Sequence, residues 1–99
     1  IVFVVIDNGM YGTIRMHQER TYPERVSGTT LVNPDFAALA RAYGAQGTTV
    51  ETTDAFAPAF ERALAHDGPA LVHVKLDPQA LTMNASLDAL REAGRRARA

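Results

Sequence analysis

Residues Ile1 to Ile6 read IVFVVI, six apolar side chains with no polar one among them. A strand with one wet face alternates apolar and polar residues. An unbroken β-branched and aromatic run instead fits a strand covered on both faces, as in a parallel sheet. Parallel neighbours need crossover connections, usually helical, and the remainder of the chain has the patterns to supply them.

Tyr11 to Glu19 has the makings of a short helix, weakened at its start by Gly12 and Thr13. Glu19 to Asn33 (ERTYPERVSGTTLVN) is polar and reads as a long loop, of a length that often lies over a site. Asn33 can cap the next helix, with Pro34 at its first position and Asp35 complementing its dipole. Phe36, Leu39, Ala40 and Tyr43 form its stripe, and Gly44 can end it. Gln46 to Val50 is a short strand. Thr53 is placed to cap a helix carrying Phe56, Ala59, Phe60, Ala63 and Leu64 on one face. Pro58 lies near enough to its start to bend it without breaking it, and Asp67-Gly68-Pro69 stops it. Ala70 to Leu76 (ALVHVKL) is a third strand, and Ser86 to Ala97 a last helix. Strands alternating with helices predict an α/β fold, a parallel sheet with flanking helices and right-handed crossovers.

The 99 residues make one small domain or a piece of a larger one. A formal net charge of -1 gives no global field toward nucleic acid or a membrane surface. The absence of cysteine excludes a disulfide framework and thiolate chemistry, and fits a cytoplasmic setting. The opening apolar run is too short to span a bilayer and lacks the flanks of a signal peptide. Because Ile1 begins inside a strand, the chain is expected to be a fragment of a larger domain.

The first strand delivers Asp7-Asn8-Gly9 to its carboxyl end, where parallel sheets gather ligands. Asn8 has an amide oxygen suited to a hard cation such as Mg2+ or Ca2+. Gly9 lets the backbone bend so that a main-chain carbonyl reaches the same ion. Gly12, Thr13 and Ile14 would present N–H groups at a helix start, where a phosphate is favoured. Asn-Gly is equally a common hairpin signal, although the residues after it do not alternate like a returning strand. Both readings stand on pattern alone.

The stretch VVIDNGMYGTIRMHQ resembles the second half of the thiamin-diphosphate signature of the acetolactate synthase and benzoylformate decarboxylase superfamily. The likeness continues through NPDFAALARAYGA, the helix after Thr53, PALVHVKLDP and ALTMNASLDALRE. It implies that residues 1–99 are the C-terminal part of a diphosphate-binding domain, a partial three-layer α/β/α sandwich. Carried over by position, Asn8 matches the asparagine whose side chain binds Mg2+, and Met10 the residue that binds it through its carbonyl. Gly9 and Tyr11 lie between and beside them, and Tyr11 has a counterpart in the benzoylformate decarboxylase branch. Gly12, Thr13 and Ile14 match positions near the diphosphate and the substrate side of the thiazolium. Asp7 departs from the family's usual asparagine and is expected to hold the turn by hydrogen bonds. Ile14 stands where the pyruvate decarboxylase branch has a glutamate, which favours the other branches.

The resemblance implies thiamin diphosphate and Mg2+ as cofactors and a 2-oxo acid as substrate, decarboxylated and then protonated or joined to an acceptor carbonyl. It also implies a homodimer or homotetramer. The Gly-Asp-Gly half of the signature and the activating glutamate are not in these residues, so no catalytic side chain is assigned and the chain alone is expected to be inactive. The alternatives are a doubly wound nucleotide- or flavin-phosphate-binding module or an oligomerisation domain; neither Gly-x-Gly-x-x-Gly nor a P-loop lysine supports the former. His17 is expected on a solvated face, His66 at a helix end, and His73 as a hydrogen-bonded core or sheet-edge residue. Arg15, Glu19, Arg20, Glu24 and Arg25 are expected to form a solvated surface. Arg91, Arg95, Arg96 and Arg98 are expected to be solubilising or frayed.

Overall fold

A computed structural model of the chain describes residues 1–99. The element order is β1 (Val2–Asp7), α1 (Gly12–Thr21), α2 (Phe36–Ala42), β2 (Gln46–Val50), α3 (Thr53–Ala65), β3 (Ala70–Lys75) and α4 (Leu87–Arg98). This is the expected alternation. The three strands form one parallel sheet in the order β1-β3-β2, with Val2 opposite Ala70 on one side and Gln46 opposite Ala70 on the other. No helix is long and apolar enough to cross a membrane.

The chain divides into two compact units. The first comprises Ile1–Asp7 and Asn33–Leu76, and holds the sheet with α2 and α3. Alternate β3 side chains point to opposite faces. Ala70 and Val72 therefore share a core with Ala59 and Ala63 of α3 and Val50 of β2. His73 faces the other way, and its ring meets the Phe36 ring of α2 edge-on at 5.1 Å. The unit is thus a three-layer α/β/α arrangement, as the resemblance implied.

Several local expectations are corrected within this unit. β1 is not covered on both faces: Phe3 is 50% and Ile6 60% exposed. It is an edge strand, paired only with β3, so the apolar run has no neighbour on its far side. Asp35 caps α2 in place of Asn33, its carboxylate accepting the Ala38 N–H at 3.0 Å. That N–H holds the Asp35 carboxyl below the usual carboxylate range. Pro34 lies outside the helix, and the Asn33 amide instead donates to Asp7 Oδ1 at 2.7 Å. Thr52, one residue earlier than expected, caps α3. The faces of α2 and α3 are set by small residues. Ala37 and Ala40 are buried while Tyr43 is 85% exposed, and Ala59 and Ala63 are buried while Leu64 is exposed. Alanine lets a helix axis approach the pleated sheet closely, which leaves the longer side chains at the flanks.

His73 is a core histidine, 1% exposed. Asp7 is opposite Lys75, so His73, two residues earlier on β3, shares the Asp7 face. Its Nε2 lies 2.7 Å from Asp7 Oδ2. Two hydrogen bonds of the Asp7 carboxylate tie β1 to Asn33 and to β3.

The second unit comprises Asn8–Val32 and Asp77–Ala99, with α1 and α4 as its helices. Here the surface reading of the charged run holds for Arg20, Glu24 and Arg25, which are exposed, and is overturned at Glu19. Glu19 is fully buried, and Arg91 grips it with Nε at 2.8 Å from one carboxylate oxygen and a terminal nitrogen at 3.0 Å from the other. The Glu24 N–H adds a third bond at 3.0 Å. Arg95 pairs with Glu24, and Arg98 reaches the Thr21 carbonyl and stacks over the Tyr22 ring. The terminal helix is therefore bound by its arginines, while Arg96 is exposed and pairs only within the helix, with Glu92.

Arg91's hydrogen bonds hold the Glu19 carboxyl below its usual range, and Glu19 in turn raises Arg91. A carboxyl lowered on folding stabilises the folded state above the unfolded-state value, about pH 4.3. That stability disappears as pH falls through the lower folded value. We expect Arg91→Ala to destabilise this unit by about 2 kcal/mol at pH 7, because it leaves a buried carboxylate without its cation. Far-UV circular dichroism against denaturant measures it. Glu19→Gln should flatten the acid dependence of the same signal below about pH 4.

Candidate functional site

The seven residues Asn8 to Ile14 lie together in the second unit. Asn8-Gly9 makes no hairpin. Gly9 adopts φ +73°, a conformation open to glycine at little cost, and the chain passes directly into α1. The returning segment is instead Thr29–Leu31. Met10 and Thr30 form an isolated antiparallel bridge, with Tyr11 N–H donating to the Thr29 carbonyl at 2.9 Å and Leu31 N–H to the Gly9 carbonyl at 2.8 Å. Neither bond engages the Met10 carbonyl.

The long loop is thus laid on the candidate site, as its length suggested. Side chains fasten it to α1. Arg15 donates to the hydroxyls of Thr29 at 2.8 Å and Thr30 at 2.6 Å, and buried Thr29 donates to Gln18 Oε1 at 2.9 Å.

Asn8 Oδ1 accepts the Met10 N–H at 3.2 Å, so the carboxamide folds back over its own turn. The Met10 side chain is buried, while Tyr11 and Ile14 are exposed. α1 starts at Gly12, with Tyr11 at the cap position; no side chain caps it and its first turn has no acidic residue. By contrast, α2, α3 and α4 are capped by Asp35, Thr52 and Ser86. The first N–H groups of a helix have no carbonyl one turn earlier to receive them. At α1 those of Gly12, Thr13 and Ile14 are left to solvent or to an anion. Met10 through Ile14 line an open depression of about 290 Å³. A more enclosed cleft of about 300 Å³ lies in the first unit against Phe3, Phe36, Leu39 and Tyr43. It is apolar and brings no acid, base or metal ligand together.

Residues 1–74 match the family model described as "Thiamine pyrophosphate enzyme, C-terminal TPP binding domain". The chain belongs to this family. It is 41% identical over 75 residues to the acetolactate synthase isozyme 2 large subunit of Escherichia coli (strain K12), covering 75% of this chain and 14% of that protein. It is 36% identical over 72 residues to the catabolic acetolactate synthase of Raoultella terrigena, covering 73% of this chain and 12% of that protein. It is 33% identical over 73 residues to the benzoylformate decarboxylase of Pseudomonas aeruginosa, covering 74% and 14% respectively. The chain therefore spans about one seventh of the length of such relatives. Membership removes the support for a nucleotide- or flavin-phosphate module.

The residues present fit what a thiamine pyrophosphate domain has to hold. A hard divalent ion takes oxygen ligands, and this stretch offers one amide oxygen and one carbonyl. A diphosphate takes N–H donors, and the uncapped α1 start offers them. No cluster of three or more His, Cys, Asp or Glu side chains able to hold a metal occurs in the chain. A cation bound here needs further oxygens, from the diphosphate and from outside these residues.

Sequence reasoning missed the Arg15–Thr29–Thr30 clasp and the approach of Leu81 to Gly12. Both join residues far apart in the chain, and no local spacing signals them.

Proposed function

We propose that residues 1–99 are the C-terminal part of the cofactor-binding domain of a longer enzyme that uses thiamin diphosphate and Mg2+ on 2-oxo acids. Asn8 Oδ1 and the Met10 carbonyl are its Mg2+ ligands. Gly9 gives the turn between them its reach. Tyr11, Gly12, Thr13 and Ile14 border the cofactor, with the N–H groups at the α1 start toward the diphosphate and Ile14 on the substrate side. The observation that carries this reading is an uncapped helix N-terminus directly after Asn8-Gly9-Met10, in a chain of this family.

Bound thiamin diphosphate supplies the carbanion chemistry that releases carbon dioxide from a 2-oxo acid. The residues here bind and orient it. The bent Asn8 carboxamide presents a neutral oxygen, which a divalent ion accepts without a proton being lost. Ile14 brings no titratable group to the site, so proton transfer to product falls to groups elsewhere in the enzyme. The partner reading is a homodimer or homotetramer working in the cytoplasm, and the product is either released after protonation or joined to an acceptor carbonyl as in acetolactate synthase.

In the full-length enzyme, Asn8→Ala is expected to raise the thiamin diphosphate concentration for half-activation at fixed Mg2+ by about tenfold or more. An unchanged half-activation would remove Asn8 from the metal. The 99-residue chain alone is expected to be inactive and to bind cofactor weakly. Micromolar affinity in a calorimetric titration with thiamin diphosphate and Mg2+ would contradict that.

A further inference from the structure

Leu81 lies between β3 and α4, outside the residues matched by the family model. A Cβ built on Gly12 would stand 2.8 Å from Asn8 Nδ2 and 3.2 Å from Leu81 Cδ2. The space that a side chain at position 12 would fill is therefore shared by the Asn8 carboxamide and the Leu81 methyl group. Leu81 is also held from behind. Its N–H donates to the Gln79 carbonyl at 3.0 Å, and the Ala80 N–H to that of Asp77 at 3.0 Å. Gln79 is itself pinned to the start of α4, receiving the Leu87 N–H on its carbonyl at 3.2 Å and the Asp88 N–H on its side chain at 2.9 Å.

We infer that Leu81 is a positioning residue for Asn8: it closes the apolar side of the Gly12 cradle and restricts rotation of the carboxamide that ligates the metal. The inference rests on the metal reading of Asn8. An asparagine side chain has a broad terminal torsion, with oxygen and nitrogen ends of similar size. Left free, it spends time with its nitrogen where a cation needs oxygen, and ligation must then stop that rotation. Leu81 limits the rotation by bulk alone. Its side chain has no donor or acceptor, so it does not compete for Oδ1, which keeps the Met10 N–H. Fixing the orientation before binding lowers the cost of ligation, as outer groups around metal ligands commonly do.

The test uses the 99-residue chain with Mn2+, which accepts the same oxygen ligands as Mg2+, in the presence of thiamin diphosphate. Millimolar association is enough for paramagnetic broadening of the Asn8 side-chain amide and Met10 N–H resonances. We expect Leu81→Ala to require about tenfold more Mn2+ for the same broadening. Leu81→Met, which keeps the bulk, should restore it to within about twofold. Leu90→Ala, at a half-buried position of α4, loosens the same unit at another place and should leave the titration unchanged. Equal broadening in Leu81→Ala and the unsubstituted chain overturns this inference alone, as does an equal loss in Leu90→Ala. Broadening of other resonances in the unsubstituted chain with Asn8 and Met10 unaffected overturns the metal reading and this inference together.

Discussion

Gly47→Ala is expected to destabilise the unit that holds the sheet by about 3 kcal/mol or more. Gly47 lies in β2, opposite Leu71 of β3, on the face that α2 covers. A Cβ there would stand 2.2 Å from the Ala37 carbonyl oxygen and 2.9 Å from its carbon. Both are backbone atoms of a helix, so no rotamer change relieves the overlap and α2 must lift from the sheet. Alanine in a strand would otherwise gain about 0.5–1 kcal/mol over glycine, and the clash reverses that sign. Lifting α2 also strains the bond from the Arg41 guanidinium to the Gly47 carbonyl, 2.8 Å in length. The measurement is the denaturant midpoint, together with amide exchange at Thr48 and Val50. A midpoint equal to that of the unsubstituted chain would mean that α2 does not sit on β2 at this distance.

Gly94 gives a comparable effect in the second unit. The ideal Cβ position is 2.6 Å from the carbonyl oxygens of both Glu19 and Arg20. In a free helix, Gly→Ala would add about 1 kcal/mol of stability. Here the added methyl group pushes α4 away from α1, and Arg91, one turn earlier, is carried away from Glu19. We expect Gly94→Ala to be net destabilising by about 1–2 kcal/mol and Gly94→Val by about 3 kcal/mol. Circular dichroism at neutral pH reads the loss, and a gain in helix stability on Gly94→Ala would refute the close approach. Both glycines serve packing distance, not backbone conformation: neither has a positive φ.

The candidate site was largely legible because its parts are contiguous. Asn8 to Ile14 occupy one turn and one helix start, and the resemblance rested on the same stretch. Pattern alone could not choose between a hairpin and a ligand site, since Asn-Gly serves both. The hairpin is excluded by Thr29–Leu31, which pairs with Gly9–Tyr11 where a hairpin would have paired the residues immediately following. Leu81 was invisible in the same sense: its contact with Gly12 spans most of the chain.

The sequence by itself determined the order of strands and helices, the bounds of β2, the stop at Gly44 and the family. All of these follow from periodicity, turn chemistry or contiguous motifs, which act over a few residues. Only the tertiary structure decided that β1 is an exposed edge, that alanines are the buried residues of α2 and α3, and that Asp35 is the cap left over once Asn33 turns to Asp7. It also decided that Glu19 is buried under Arg91, a pair 72 residues apart. The physical reason is that burial and ion pairing depend on which surfaces the folded chain brings together, and a charge in a polar run carries no mark of the partner that will meet it.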